Sequence, residues 1–316
     1  MQRSTKVAWL FPGQGSQVVG MGRDLAETSD AARRVFERAD AALGEPLTKL
    51  CFDGPMEELT LTANTQPAIV TVSMAIVAAL RERMPDLALP MFAAGHSLGE
   101  YSALAAAGAL ELEDAVRICR LRGAAMQASV PPGEGAMAAV MGLDGPVVAQ
   151  ICAEEAHDEI VSLANYNAPG QVVIAGHAAA VARVSAVVGK RQGKAIPLKV
   201  SAPFHCALMR PARERLAPEV ERIPVRPLAF PVIANVDAEP NADPARVKEL
   251  LLRQIDGAVL WTATIERMAA EGVTHALELG PGKVLAGLGK RIAKSIKVLS
   301  VSDAVGLGAV SSFLEG

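Results

Sequence analysis

The chain has 316 residues, 51% of them hydrophobic and 21% charged, with Lys+Arg 31 against Asp+Glu 34 and a formal net charge of −3. That balance supplies one large domain, or a large domain carrying a small insert, and excludes intrinsic disorder. It also excludes a nucleic-acid binder that works through a broad basic surface.

Taken in chain order, Lys6 to Phe11 reads as a first strand that runs into a glycine-rich turn at Pro12-Gly13-Gln14-Gly15. Helical spacing and strong helix formers follow from Asp24 to Leu43. Thr65 followed by Pro67 marks a helix start, with Arg81 and Arg83 at the far end. Met91 to Ala94 is a short buried strand, Leu98 to Leu110 a helix, and Leu112 to Gln127 another, opened by Glu111, Glu113 and Asp114. Strands alternating with helices imply a mostly parallel sheet covered on both faces.

The composition changes at Val130-Pro131-Pro132-Gly133, which reads as a linker. Beyond it come a strand (Ala136 to Met141), a helix (Pro146 to Glu155) and two strands (Ile160 to Ala164, Gln171 to Ala175). A helix (Ala178 to Val188) and a strand (Ala195 to Leu198) complete the segment. This β-α-β-β-α-β order is that of a ferredoxin-like unit, so residues 131–199 are expected as an insert in a domain made of 1–130 and 200–316. Strands near Ala229 to Ala234 and His275 to Leu279 return the chain to the large sheet.

Membrane insertion finds little support. The most apolar stretch, Ala68 to Leu80, is interrupted by Thr71 and Ser73 and is short for a bilayer, and Arg3 and Lys6 precede only five apolar residues before Pro12-Gly13. Cys51, Cys119, Cys152 and Cys206 lie far apart, which suits neither a zinc site nor a disulfide framework. Reduced cysteines in a cytoplasmic protein are the expectation.

The most informative segment is Gly95-His96-Ser97-Leu98-Gly99. It fits G-x-S-x-G between a strand and a helix, the context of a nucleophile elbow, where the helix N-terminus offers N–H groups to an oxyanion. A serine nucleophile needs a base. His157 and His177 read as surface residues of the small unit, and His96, beside the serine, as a packing or positioning residue. His205 and His275 both remain as candidate bases. The loop Phe11 to Gln17 fails as a dinucleotide fingerprint because position 18 is Val18, and Gly280-Pro281-Gly282-Lys283 fails as a Walker A loop. The first loop suits a backbone oxyanion contact and a plain turn equally.

Phe11-Pro12-Gly13-Gln14-Gly15-Ser16-Gln17, Gly95-His96-Ser97-Leu98-Gly99-Glu100 and Leu121-Arg122-Gly123 are joined, in order, by three further motifs. These are Asn165-Tyr166-Asn167-Ala168-Pro169-Gly170-Gln171, Pro203-Phe204-His205 and Gly280-Pro281-Gly282. Together the chain resembles the malonyl-CoA:acyl carrier protein transacylases over nearly its whole length. The resemblance implies an α/β-hydrolase-like large domain with a ferredoxin-like insert. It also implies Ser97 as nucleophile, His205 as base, and a main-chain carbonyl matching Gln254 that orients the histidine. The N–H groups of Leu98 and Gln14 would form the oxyanion hole. Arg122 would hold the malonyl carboxylate, with Gln14 and Phe204 also at the substrate and Phe204 narrowing the acyl pocket.

No metal or cofactor is implied. The partners would be malonyl-CoA and an acidic acyl carrier protein, for fatty acid or polyketide synthesis, and the protein would be a monomer. Lys190, Arg191, Lys194 and Lys199, with Arg291 and Lys294 as a second group, are docking candidates, although such a run also suits a solvated face. A serine hydrolase using Ser97, Asp237 and His275 in the order Ser, Asp, His is the competing reading.

Overall fold

A computed structural model describes residues 5–315, so Arg3 lies outside the described residues. Six strands form one sheet in the order β10-β9-β1-β2-β7-β8: β1 Val7–Phe11, β2 Phe92–Gly95, β7 Val232–Ile233, β8 Pro240–Asn241, β9 His275–Leu279 and β10 Lys297–Val301. All pair in parallel except β8. In β1, Ala8 and Leu10 enter one hydrophobic cluster while Trp9 and Phe11 enter another, so the strand is buried on both faces. That is why it reads as a continuous apolar run rather than an alternation.

The second sheet has the order β4-β5-β3-β6 and is wholly antiparallel: β3 Gly135–Met141, β4 Val161–Ala168, β5 Gln171–His177 and β6 Lys194–Pro197. Helices Gly145–Glu155 and Ala178–Lys190 cover one face with a core of their own that includes Val140, Ile151, Ile174 and Val184. The other face, through Met137, Ala164, Val173 and Ala175, packs into the core of the large sheet. Tyr166 N–H donates to Val259 C=O and Val259 N–H to Ala164 C=O, both at 2.9 Å, tying β4 to the loop that precedes helix Trp261–Ala270.

Several boundaries depart from expectation. The helix anticipated over 24–43 is two helices, Arg23–Thr28 and Asp30–Leu43. Ser29 between them is extended and caps the second, its Oγ accepting from Ala32 N–H. Thr62–Arg83 starts three residues before Thr65 and holds Pro67 inside. At 22 residues it is long and apolar enough to cross a membrane, but 78% of its most apolar window is buried within the fold, so it is the core helix of the large unit. The helix after the elbow stops at Ala106 rather than Leu110, and β7 keeps only two of the six residues expected.

Candidate active site

The elbow joins the C-terminal end of β2 to helix Gly99–Ala106. Close approach dictates its glycines: a Cβ on Gly95 would lie 1.9 Å from the Gly99 carbonyl, and one on Gly99 would lie 2.3 Å from Phe11 O. Ser97 between them has φ 53°, a left-handed conformation that costs a non-glycine residue of order 1 kcal/mol and persists only when its surroundings enforce it. Asn235 supplies much of that enforcement. Its Oδ1 accepts from Ser97 N–H and its Nδ2 donates to Gly95 C=O, both at 2.7 Å.

Ser97 Oγ lies 2.7 Å from His205 Nε2. On the other side of the ring, Nδ1 faces the carbonyls of Gln254 at 3.0 Å and Gly257 at 3.2 Å. Carbonyls only accept, so the ring hydrogen resides on Nδ1 and the Nε2 lone pair points at the serine. Burial, reinforced by the charge of Arg122, lowers the His205 pKa to about 3, so the imidazole is neutral and receptive near neutral pH.

Arg122 is 1% exposed. It reaches this place because Gly123 brings helix Leu112–Gln127 against helix Thr62–Arg83, where a Cβ would stand 2.5 Å from Thr62 O. Nη2 donates to Ser97 Oγ at 3.1 Å and to Gln254 Oε1 at 2.8 Å, while Nη1 donates to Gln66 Oε1 at 2.7 Å. Gln254 therefore serves the site three times: its carbonyl holds His205, its Oε1 holds Arg122, and its Nε2 donates to Ser97 C=O and Glu100 Oε2. Glu100, 2% exposed, has its pKa raised to about 7 by burial.

A cavity of about 130 Å³ opens on Ser97, His205 and Arg122, with Gln14, Leu98, Phe204 and Met126 among its walls. Gln14 Nε2 donates to Thr62 Oγ1, and the N–H groups of Gln14 and Leu98 have no partner among the described residues. Every residue the resemblance put at the site is thus in one place. Sequence reasoning missed Asn235, Gln66 and the side chain of Gln254. Asn235 stands just past the carboxyl end of a parallel strand, where such sheets build sites, and Gln66 is an amide within an apolar helix; both were readable signals.

Of the remaining histidines, His96 lines the same cavity, its Nε2 2.9 Å from Asn167 Oδ1, in keeping with a packing or positioning residue, and His157 is exposed. His177 is not a plain surface residue: its Nδ1 accepts from Ile160 N–H at 2.9 Å at the end of the interior strand β5. The hydrolase order fails. His275 pairs with Val7 at the start of β1, whereas Gly95 pairs with Phe11 at its end. Four residues of strand, roughly 13 Å, separate the two levels. Asp237 follows β7 at the elbow's end of the sheet and pairs with Arg246 at 3.5 Å. Parallel strands place the start of β9 and the end of β2 on opposite edges, so no triad of Ser97, Asp237 and His275 can form.

A family model described as the acyl transferase domain matches residues 8–310. The chain is 46% identical over 310 residues to the malonyl CoA-acyl carrier protein transacylase of Haemophilus influenzae, covering 98% of this chain and 99% of the relative. Its fold is similar to the acyl-carrier-protein-S-malonyltransferase of Bartonella henselae, with TM-score 0.95, 46% identity and coverage of 99% and 100%. It is also similar to a malonyl-transacylase solved in complex with a type II PKS acyl-carrier protein, with TM-score 0.94, 42% identity and coverage of 99% and 100%. The chain belongs to the acyl transferase family and, within it, to the malonyl CoA-acyl carrier protein transacylases.

Proposed function

We propose that this enzyme moves a malonyl group from malonyl-CoA to the phosphopantetheine thiol of an acyl carrier protein through a malonyl-Ser97 intermediate. The observation that carries the reading is Arg122: a buried guanidinium 3.1 Å from the nucleophile, without a carboxylate partner among the described residues. A plain hydrolase has no use for a desolvated cation there. A substrate bearing a free carboxylate does, and the planar guanidinium can grip it with two hydrogen bonds.

In the first half-reaction His205 Nε2 accepts the Oγ proton as Ser97 attacks the thioester carbonyl. The N–H groups of Leu98 and Gln14 stabilise the tetrahedral oxyanion, and the imidazolium is steadied by the carbonyls of Gln254 and Gly257. The C–S bond breaks, and coenzyme A departs as a thiol with the proton from His205. In the second half the carrier-protein thiol gives its proton to His205 and attacks the malonyl ester. The second tetrahedral intermediate collapses as the C–O bond breaks and His205 returns the proton to Ser97 Oγ. Phe204, 9% exposed in the cavity wall, limits the room beside the malonyl carbon.

The division at 131–199 belongs to this proposal, supported by the separate core of the small sheet. So does a monomer in the cytoplasm, where four free, buried cysteines suit a reducing compartment. Lys190, Lys194 and Lys199 are exposed and suit docking to an acidic partner. Arg191 is engaged by Glu154 at 3.5 Å, and Arg291 by Gln171 and Pro169, so these two contribute less freely.

Intact-mass spectrometry after incubation with malonyl-CoA, acetyl-CoA and methylmalonyl-CoA tests the reading. Ser97→Ala abolishes the malonyl adduct in a folded protein. Arg122→Ala costs malonyl-CoA roughly 30- to several-thousand-fold in kcat/KM, from about 2–5 kcal/mol for a desolvated carboxylate left unpaired. It leaves acetyl-CoA unchanged or improved. Equal losses on both thioesters refute malonyl recognition by Arg122.

A further inference from the structure

Many arginines elsewhere in the molecule sit against carboxylates, Arg38 against Glu113 at 2.7 Å and Arg183 against Glu159 at 2.8 Å among them. Arg122 does not. Its two terminal nitrogens are held by amide oxygens, Nη1 by Gln66 and Nη2 by Gln254, in a setting where all three side chains are 0–1% exposed. Glu100, the carboxyl nearby, is reached only through Gln254 Nε2, and its raised pKa keeps much of it neutral around pH 7.

The two amides differ in what their nitrogens do. Gln254 Nε2 donates to Ser97 C=O at 2.8 Å and to Glu100 at 2.9 Å, so it has to be an amide. Among the described residues Gln66 Nε2 has only Met126 Sδ at 4.0 Å, a marginal contact. Hydrogen bonding alone would therefore accept a glutamate at 66, which would grip Arg122 more strongly through a charge-assisted bond. What the amide offers over the carboxylate is neutrality.

We infer that Gln66 is a specificity-determining positioning residue: its amide oxygen orients Arg122 while leaving the guanidinium charge free for the substrate carboxylate. The inference rests on the reading that Arg122 receives the malonyl group. A carboxylate at 66 would compete for the same cation and bring two anions into one desolvated cavity. Selection of malonyl over acetyl is a difference of two affinities, and such a residue would erase the part that depends on charge.

The test compares Gln66→Glu and Gln66→Leu in the full-length enzyme, with kcat and KM measured separately for malonyl-CoA and acetyl-CoA. Gln66→Glu is expected to lower kcat/KM for malonyl-CoA by at least about 30-fold while acetyl-CoA stays within about threefold. Gln66→Leu removes the acceptor but keeps the charge free, for a malonyl-selective loss of about tenfold. The order is decisive, because glutamate is nearly isosteric with glutamine and a packing role would make it the milder change. Glutamate milder than leucine, or equal losses on both substrates, overturns the inference. Should Gln66→Glu fail to fold, Gln66→Leu decides alone: a malonyl-selective loss sustains orientation by Gln66, and an unselective one overturns it. Arg122→Ala measured in parallel separates the two ideas. Equal losses there sink the malonyl reading itself, whereas a crossover there with none at Gln66 sinks only this inference.

Discussion

The two ends of the large sheet each carry a buried histidine, and only one end is a site. At the carboxyl end His205 has two carbonyl acceptors behind it and a serine in front. At the amino end His275 has Nδ1 2.9 Å from the Thr274 hydroxyl, its ring edge-on to Phe313, and Nε2 without a partner among the described residues. Burial lowers the pKa of both. Residue type, burial and pKa direction therefore do not separate a base from a core histidine. Partners do: acceptors on Nδ1 fix the tautomer, and a nucleophile on Nε2 gives the lone pair a proton to take.

The comparison breaks most easily at His205. His205→Ala is expected to lower the rate of Ser97 malonylation by ~100- to 10,000-fold, the usual contribution of a positioned base. Rapid-quench sampling of the malonyl adduct by mass measures it. A loss under about tenfold would mean that the serine is activated by something other than the imidazole.

Much of this was legible beforehand, and the unread parts have physical reasons. The elbow could be read because sterics admit so few residues at Gly95 and Gly99. The small unit could be read because its six elements alternate cleanly between periods. The choice between His205 and His275 could not be made from spacing, because strand direction, not sequence distance, puts one beside Ser97 and the other across the sheet. The break at Ser29 was hidden because its flanks share helical composition and only its cap and a 2.5 Å bond to Glu82 single it out. Asn235 and Gln66 act on groups more than fifty residues away in sequence, Ser97 and Arg122, so their partners appear only when the chain is folded.

Acid sharpens the contrast. His205 has a folded pKa of about 3 against an ordinary value near 6.5, so the unfolded chain takes up its proton first as pH falls. Its contribution to stability is complete above about pH 6.5 and is lost progressively on the way down to about pH 3. Denaturant midpoints followed from pH 7 to pH 4 should fall less steeply for His205→Ala than for the parent. Parallel slopes would show that the native state takes up the proton at His205 as readily as the unfolded chain.

The smallest expected effect lies at the other end of the sheet. His275→Phe keeps an aromatic ring against Phe313, whose centroid lies 5.1 Å away, and removes a buried Nε2 that has no partner among the described residues. It loses the contact with Thr274 Oγ1, whose hydroxyl then has the long contact in which it donates to Lys6 C=O at 3.4 Å. These changes oppose one another, so stability should move by no more than about 1 kcal/mol in either direction. Transfer should be unaffected, with kcat/KM for malonyl-CoA within about twofold, because nothing links this edge of the sheet to the proton on Ser97. Thermal melting and steady-state transfer together measure both. A loss of about 100-fold in kcat/KM with an unchanged melting temperature would give His275 a part in the chemistry. The distance along β1 from Val7 to Phe11 would then have to be spanned by a rearrangement of the sheet itself, since the register of β1 with β2 and β9 fixes both edges.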